Sequence, residues 1–369
     1  MRSDHRRLTA ALLLTSALLG SAARADDCTT LLATGAGTAA DTSCVERAYR
    51  GPRAQWPAPT VDAGVQWQEL APRPALTPQP AALAALGEQL FHDRRLSRKQ
   101  DVSCASCHAP HLGFSDGRRF ALGHEGSAGK RNSPGLWGVA FVPQLMWDGR
   151  ADSLESQALL PMVNPAEMAM DLPQLLQRLN TETDYPRRFA TAFKGHGQTL
   201  DVTLARLASA LASFQRTLEA PRTRWDDFIE GRDPTALTGQ ELRGLHLFRT
   251  KARCMNCHSG PQLTQHGFHQ IGISFLGRAN QDLGRQAVTG RVEDAGAMRT
   301  PSLRGVSRTA PYMHQGVVPL LRGVLDLYNA GLPQPRGREP PIPPPSPLIK
   351  PLRLTVEEVR AVEAFLRTL

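Results

Sequence analysis

Apolar residues recur at helical spacing in several separate stretches of the chain. Leu83, Leu86 and Leu90 share one face, which predicts a helix over residues 81–92. Leu204, Leu207, Leu211 and Phe214 repeat the pattern more strongly and predict the best helix over residues 201–218, with Asp201 as its cap. Thr238 with Glu241 forms a capping box ahead of Leu242, Leu245 and Phe248, and Thr355 with Glu358 opens a last helix that ends near Leu369. Shorter helices are expected over residues 153–160, 172–179 and 185–193, separated by Pro, Asn and Gly. The pattern is that of a mainly α protein with long loops.

The stretches without helical periodicity carry their own information. Residues 26–80 are rich in Ala, Pro, Thr and Gly and read as an extended N-terminal segment wrapped around the body. The proline-rich run 333–351 cannot be a helix or a central strand, because proline lacks the N–H both require; it reads as a surface crossover, with a polyproline ligand for another protein as the sharper alternative. Residues 1–25 join a basic head of Arg2, Arg6 and Arg7 to an apolar run and a small-residue site, Ala23-Arg24-Ala25, which together describe a secretory signal peptide. The apolar run falls short of the about 20 residues a membrane span takes, although an uncleaved anchor stays open as the alternative. No later segment is apolar enough to cross a bilayer. The mature chain is therefore expected to be soluble in an exported compartment, the periplasm.

Length and charge narrow the picture further. A chain of 369 residues suits two domains better than one. The formal charge is +9, of which four arginines against Asp4 in the leader account for three, leaving +6 on the mature chain. Lys and Arg are scattered rather than blocked, so nucleic-acid binding is unsupported. A basic face that steers an acidic electron donor is a weaker inference.

Two of the loops carry the chemistry. Cys104-Ala105-Ser106-Cys107-His108 and Cys254-Met255-Asn256-Cys257-His258 both read C-x-x-C-H, the attachment signature of a c-type haem. Two thiols at this spacing can each add to one vinyl group of the porphyrin, and the next residue presents an imidazole to the iron. A zinc site or a thioredoxin-like redox pair is the alternative, but zinc needs four ligands closing one tetrahedron, whereas here two complete units recur 150 positions apart. The remaining cysteines, Cys28 and Cys44, are expected to pair as a disulfide, which export permits, with two free thiols as the alternative. The order helix, C-x-x-C-H turn, long loops and further helices occurs twice, which resembles two cytochrome c modules, a haem domain over 81–219 and another over 220–369.

The motifs between and after these turns sharpen the resemblance. LSRKQDVSCASCHAP, GHEGSAGKRNSP, MWDGRADSLESQALLPMVNPAEM, CMNCHSGPQLT, DLGRQAVTG, TPSLRGV and TAPYMHQG, in this order, resemble the bacterial di-haem cytochrome c peroxidases and their MauG-type relatives. The resemblance implies two covalent haem c groups, with His108 the proximal ligand of an N-terminal peroxidatic haem and His258 that of a C-terminal electron-transferring haem. It makes Glu167 the distal acid–base residue, with Gln157 and Pro161 beside it, and Trp147 the tryptophan between the haems. It gives Asn132, Thr309 and Pro311 to one calcium ion between the domains, and His124 to the peroxidatic iron as a cap in the inactive state. His92, His111, His196, His246, His266 and His269 receive no role.

The family's second-haem ligand lies fourteen residues after the histidine of its PY-x-H-x-G stretch, and counting from His314 arrives at Tyr328, where the electron-donating peroxidases have methionine. Met298 and Met313 lie nearby but off the position. The implied function is reduction of hydrogen peroxide to water with electrons from a small cytochrome c or copper protein, in a chain whose relatives are often homodimers. A MauG-type enzyme that oxidises residues of a protein substrate is the second reading, and a pure electron-transfer cytochrome the third. Against identity with the MauG type, Ala252 stands where that branch has a surface tryptophan, which leaves Trp225 as a candidate exit.

Overall fold

The structure, a computed structural model, describes residue 28 and residues 39–193, 201–333 and 343–369. The expected signal peptide, His196 and part of the proline-rich run lie outside the described residues. Cys28 and Cys44 are disulfide-bonded.

The fold is mostly helical. In chain order the helices are α1 (Ala39–Arg50), α2 (Ala81–His92), α3 (Cys104–Cys107), α4 (Leu154–Val163), α5 (Leu172–Thr181), α6 (Tyr185–Ala192), α7 (Leu204–Gln215), α8 (Arg224–Ile229), α9 (Gly239–Arg249), α10 (Gln286–Thr289), α11 (Leu321–Ala330) and α12 (Val356–Leu366). A two-residue ladder, β1 (Phe268–His269) against β2 (Met298–Arg299), is antiparallel with Phe268 opposite Arg299.

The same helix crossing is built twice. Helix α2 packs across α7 at Gly87, where a Cβ would lie 1.9 Å from Ala210 O and 2.8 Å from Phe214 Cβ. Helix α9 packs across α12 at Gly244, where a Cβ would lie 2.0 Å from Ala361 O and 2.8 Å from Phe365 Cβ. A glycine, an alanine carbonyl and a phenylalanine thus recur in register, because only a residue without a side chain lets two helix backbones come this close. Around the first crossing Leu86, Leu90, Phe91, Leu207, Leu211 and Phe214 form one buried core. Around the second, Leu242, Leu245, Phe248, Val362 and Phe365 form another with Trp225. Each C-x-x-C-H turn follows the first helix of its own pair, so the crossings fix where both motifs sit.

Several local expectations are corrected. Thr203, not Asp201, caps α7, its side chain accepting from Arg206 N–H, because the extended residue sits one position before the first helical turn. Helix α4 runs through Pro161 to Val163 rather than stopping before the proline. Part of the N-terminal segment is helical: α1 sends Val45 and Tyr49 into the second core, with Leu70 beside them. Its sequence offers a sparse apolar stripe, so this helix is stabilised by docking rather than by propensity. Helices α8 and α11 were not legible either, α8 being under two turns long. The described part of the proline-rich run is loop, with Lys350 paired to Asp62 at 3.0 Å.

Candidate active site

Both C-x-x-C-H motifs fold into the same tight turn. His108 N–H donates to Cys104 O at 2.9 Å, and His258 N–H donates to Cys254 O at 2.8 Å. Ser103 and Ser106 cap the first turn reciprocally, and Arg253 enters the second in the left-handed region at φ 57°. The four thiols form no disulfide. Burial pushes them up, to about 12 at Cys104, Cys254 and Cys257 and about 11 at Cys107.

Each motif histidine is aimed by a backbone carbonyl. His108 Nδ1 lies 2.7 Å from Phe114 O, and His258 Nδ1 lies 3.0 Å from Leu263 O. A carbonyl can only accept, so Nδ1 carries the proton and Nε2 keeps its lone pair, the arrangement a metal-binding imidazole needs. Burial lowers both basicities, to about 4 at His258, so both rings are neutral at pH 7.

A cavity of about 1140 Å³ opens over the first motif, lined by Cys104, Cys107 and His108. Its size lies beyond the about 300–1,000 Å³ of ordinary small-molecule pockets. Gln157, Pro161 and Glu167 also line it, all delivered by α4 and the loop that follows. Trp147, Asn132, Thr309, Pro311 and Arg299 line it as well, so the cavity reaches from the first core towards the second.

Glu167 is held at one oxygen. Asn164 Nδ2 donates to Oε1 at 2.8 Å, leaving Oε2 for a proton. Burial raises its proton affinity above that of an ordinary carboxylate, with the Arg150 charge and the Asn164 hydrogen bond pulling the other way. The loop that carries it is pressed against Gly123, where a Cβ would meet Ala166 O at 2.2 Å and Glu167 O at 2.5 Å. Gln157 Nε2 has only a long contact to Met146 Sδ at 3.6 Å, so its amide remains available.

Trp147 is fixed by its indole N–H, which donates to Asn132 O at 2.9 Å, and its ring stands edge-on to His314 at 6.4 Å. Asn132 Nδ2 donates to Arg118 O at 2.6 Å, and the peptide bond before Pro311 is cis. The expected calcium donors Asn132, Thr309 and Pro311 all line the cavity.

Two expected iron ligands do not line this cavity. His124 is buried but does not line the cavity: Nδ1 lies 3.0 Å from Asp101 Oδ2, and Nε2 faces Glu125 Oε2 at 3.7 Å. Tyr328, on α11, is half-buried, and the ionisable groups that act on it are the Cys257 and Cys254 thiols. The structure thus brings Tyr328 to the second motif. Met313 lines the first cavity, and Met298 is buried on β2. Trp225 is fully buried, which removes it as a surface exit.

The polar lining also contains residues that the sequence reading passed over. Arg131 binds Asp282 through two nitrogens at 2.7 Å each and Asp148 at 2.6 Å, and Asp148 also binds Arg150. This cluster flanks Trp147, and its members come from the GKRNSP, WDGR and DLGR stretches. Arg299 is different. Buried with only carbonyl partners, it is lowered to about 10 by burial, and the nearby His266 leaves its buried Nδ1 without a partner. A cavity edged by a cation that has no counter-ion among the described residues fits an anionic guest such as a porphyrin carboxylate, and paired thiols with oriented imidazoles fit the rest of that group. Among the described residues no three His, Cys, Asp or Glu side chains gather as a metal-holding cluster, so the zinc alternative lacks its tetrahedron.

A family model for di-haem cytochrome c peroxidase matches residues 81–234. The methylamine utilization protein MauG of Methylorubrum extorquens is 38% identical over 303 residues, 82% of each chain. The chain belongs to the di-haem cytochrome c peroxidase family. Cytochrome c peroxidase Ccp of Escherichia coli is 35% identical over 273 residues, covering 71% of this chain and 57% of that one. Among solved structures, a MauG-like protein associated with microbial copper homeostasis superposes with a TM-score of 0.71 at 29% identity, covering 84% of this chain and 95% of that one. The di-haem peroxidase BthA of Burkholderia thailandensis superposes at 0.68 with 26% identity, covering 85% and 93%. As a member of this di-haem peroxidase family the chain is an oxidoreductase acting on peroxide, with two haem c groups as cofactors. Among the described residues no helix is long and apolar enough to cross a membrane.

Proposed function

We propose that the protein is a periplasmic peroxidase that reduces hydrogen peroxide to two waters at the first motif, with two electrons delivered through the second motif by a small cytochrome c or copper protein. The observation that supports this most is the convergence of His108 and Glu167 on one large cavity, each oriented by its own hydrogen bond. When bound, the haems supply the iron that exchanges electrons with peroxide and the second redox centre that refills it. His108 Nε2 would hold the first and His258 Nε2 the second, with the thiols of each turn as covalent anchors. Glu167 Oε2 takes a proton from the entering peroxide and returns it to the leaving oxygen, for which a desolvated carboxylate is suited. Gln157 offers its amide beside it. Trp147 stands on the wall between the motifs as the relay. Asn132, Thr309 and Pro311 provide oxygens for a calcium ion that ties the cavity wall together. The His124 cap is not part of this proposal, since its ring nitrogens face carboxylates. Steady peroxide consumption by the holoprotein with a reduced small cytochrome c is the expected result, and rapid reaction with peroxide but no turnover with any such donor would overturn it.

A specific observation favours the MauG-type reading as the second. Tyr328 faces the second motif where the electron-donating branch carries methionine. In this reading Tyr328 is the second haem's other ligand, and oxidising equivalents go to residues of a protein substrate. Tyr328→Phe is expected to change the low-spin electron paramagnetic resonance of the ferric protein while both haems stay attached. A methionine-to-iron band in the near-infrared magnetic circular dichroism of the unmodified protein would remove tyrosine ligation.

A further inference from the structure

The second motif is covered on its outer side by a strap from the N-terminal segment. Thr60 N–H donates to Arg249 O at 2.8 Å, Asp62 N–H to Asn256 Oδ1 at 2.9 Å, and Asp62 also pairs with Arg253. Further along, Gln68 N–H donates to Ser259 Oγ at 3.4 Å, and Gly260 N–H donates back to Gln68 O at 2.9 Å. Ser259 directly follows His258. Beyond this point Leu70 is fully buried and anchors the strap in the second core.

Between these anchors stands Trp67, 41% exposed, the most open Phe, Tyr or Trp side chain among the described residues. Burying such an indole is ordinarily favourable, so its exposure on a segment held at Asp62 and at Gln68 is a feature of the strap rather than slack. The two positions that the sequence suggested are closed: Ala252 is 3% exposed and Trp225 not at all. Trp56 is stacked on Phe228 with its N–H given to Tyr49 O at 3.1 Å.

We infer that Trp67 is the surface port through which electrons reach the second motif, by way of the Gln68–Ser259 hydrogen bond and the backbone of His258. The route has one hydrogen bond and otherwise runs through covalent bonds, which carry an electron far better than a gap does. In each passage the indole of Trp67 gives one electron towards the oxidised second centre, and its N–H proton passes to water. The resulting radical takes one electron from a reduced partner protein and one proton from water. Two passages match the two electrons that one hydrogen peroxide accepts. The port serves a small electron donor and an oxidisable protein substrate equally, and it rests on the reading of the second motif as the electron-transferring haem.

The test uses the full holoprotein and Trp67→Phe, with Trp56→Phe as the control. After a few equivalents of peroxide without donor, peptide mass spectrometry is expected to place oxygen additions at Trp67. Freeze-quenched samples should show a tryptophan radical that Trp67→Phe lacks and Trp56→Phe retains. With a reduced small cytochrome c, Trp67→Phe should be slower by at least tenfold, while its ferric form reacts with peroxide at the unmodified rate. Marks and radical on other residues with Trp67 intact, or an unchanged donor rate in Trp67→Phe, would overturn the port and leave the peroxidase reading standing. Failure of the unmodified holoprotein to be oxidised by peroxide would bring down both.

Discussion

Replacing Glu167 with glutamine is expected to slow the reaction of the ferric protein with peroxide by roughly 10² to 10⁴-fold, the usual contribution of a placed proton carrier. Glutamine has nearly the same shape, and its Oε1 can still accept from Asn164 Nδ2, so the side chain should stay where Glu167 stands. What it loses is the capacity to take and return a proton. The pH dependence gives a second signature. Peroxide must hand its proton to the carboxylate form, and burial raises this group above the ordinary 4.5. The rate should therefore rise with pH through an apparent pKa higher than 4.5 and flatten above it. Glu167→Gln should be slow throughout and lack this limb. Stopped-flow mixing of ferric protein with peroxide from pH 4 to 8 measures both, and an unchanged rate in the variant would take Glu167 out of the reaction.

The second large effect is on stability. Arg304 and Asp226 form an ion pair at 2.8 Å with side chains 6% and 1% exposed. Arg304 also donates to Pro261 O through Nε at 3.0 Å and through a terminal nitrogen at 2.8 Å. Pro261 lies three residues after His258, so this arginine ties the loop behind the second motif to α8. Asp226 additionally accepts from Thr223 N–H at 3.0 Å, closing the capping box of that helix. Asp226→Ala removes one charge and leaves the other buried without its counter-ion, held only by the Pro261 carbonyl. Breaking a buried pair in this way costs about 3–5 kcal/mol, a large share of the about 5–15 kcal/mol that holds a typical domain together. Thermal and denaturant unfolding of the holoprotein should show the loss. Replacing both partners together, Asp226→Leu with Arg304→Met, should recover much of it, because the desolvation cost disappears with the charges. A loss under 1 kcal/mol in Asp226→Ala would show that water reaches Arg304 and that the pair is not structural.

What was legible in the sequence and what was not follows a physical division. The two C-x-x-C-H turns are local: five consecutive residues hold both thiols and the imidazole, and the turn closes through its own backbone. The helices around them were legible where a stripe of leucines and a capping box coincide, as in α9 and α12, because these are properties of successive residues. Glu167, Gln157, Trp147 and Tyr328 were reachable only through resemblance, since a lone glutamate in a loop or a lone tyrosine on a helix carries no signal of its own. Tertiary structure alone decided what these residues face. It brought Glu167 and His108, 59 positions apart, onto one cavity, and Tyr328 within electrostatic reach of the thiols of Cys254 and Cys257. It also joined His124 to Asp101, a carboxylate 23 positions earlier that no spacing rule weighs. The repeated glycine crossings at Gly87 and Gly244, the buried Arg299 between backbone carbonyls and the exposed Trp67 have the same origin. Each depends on which backbone or charge another part of the chain brings within a few ångströms, and periodicity records only the face a residue shares with its own neighbours.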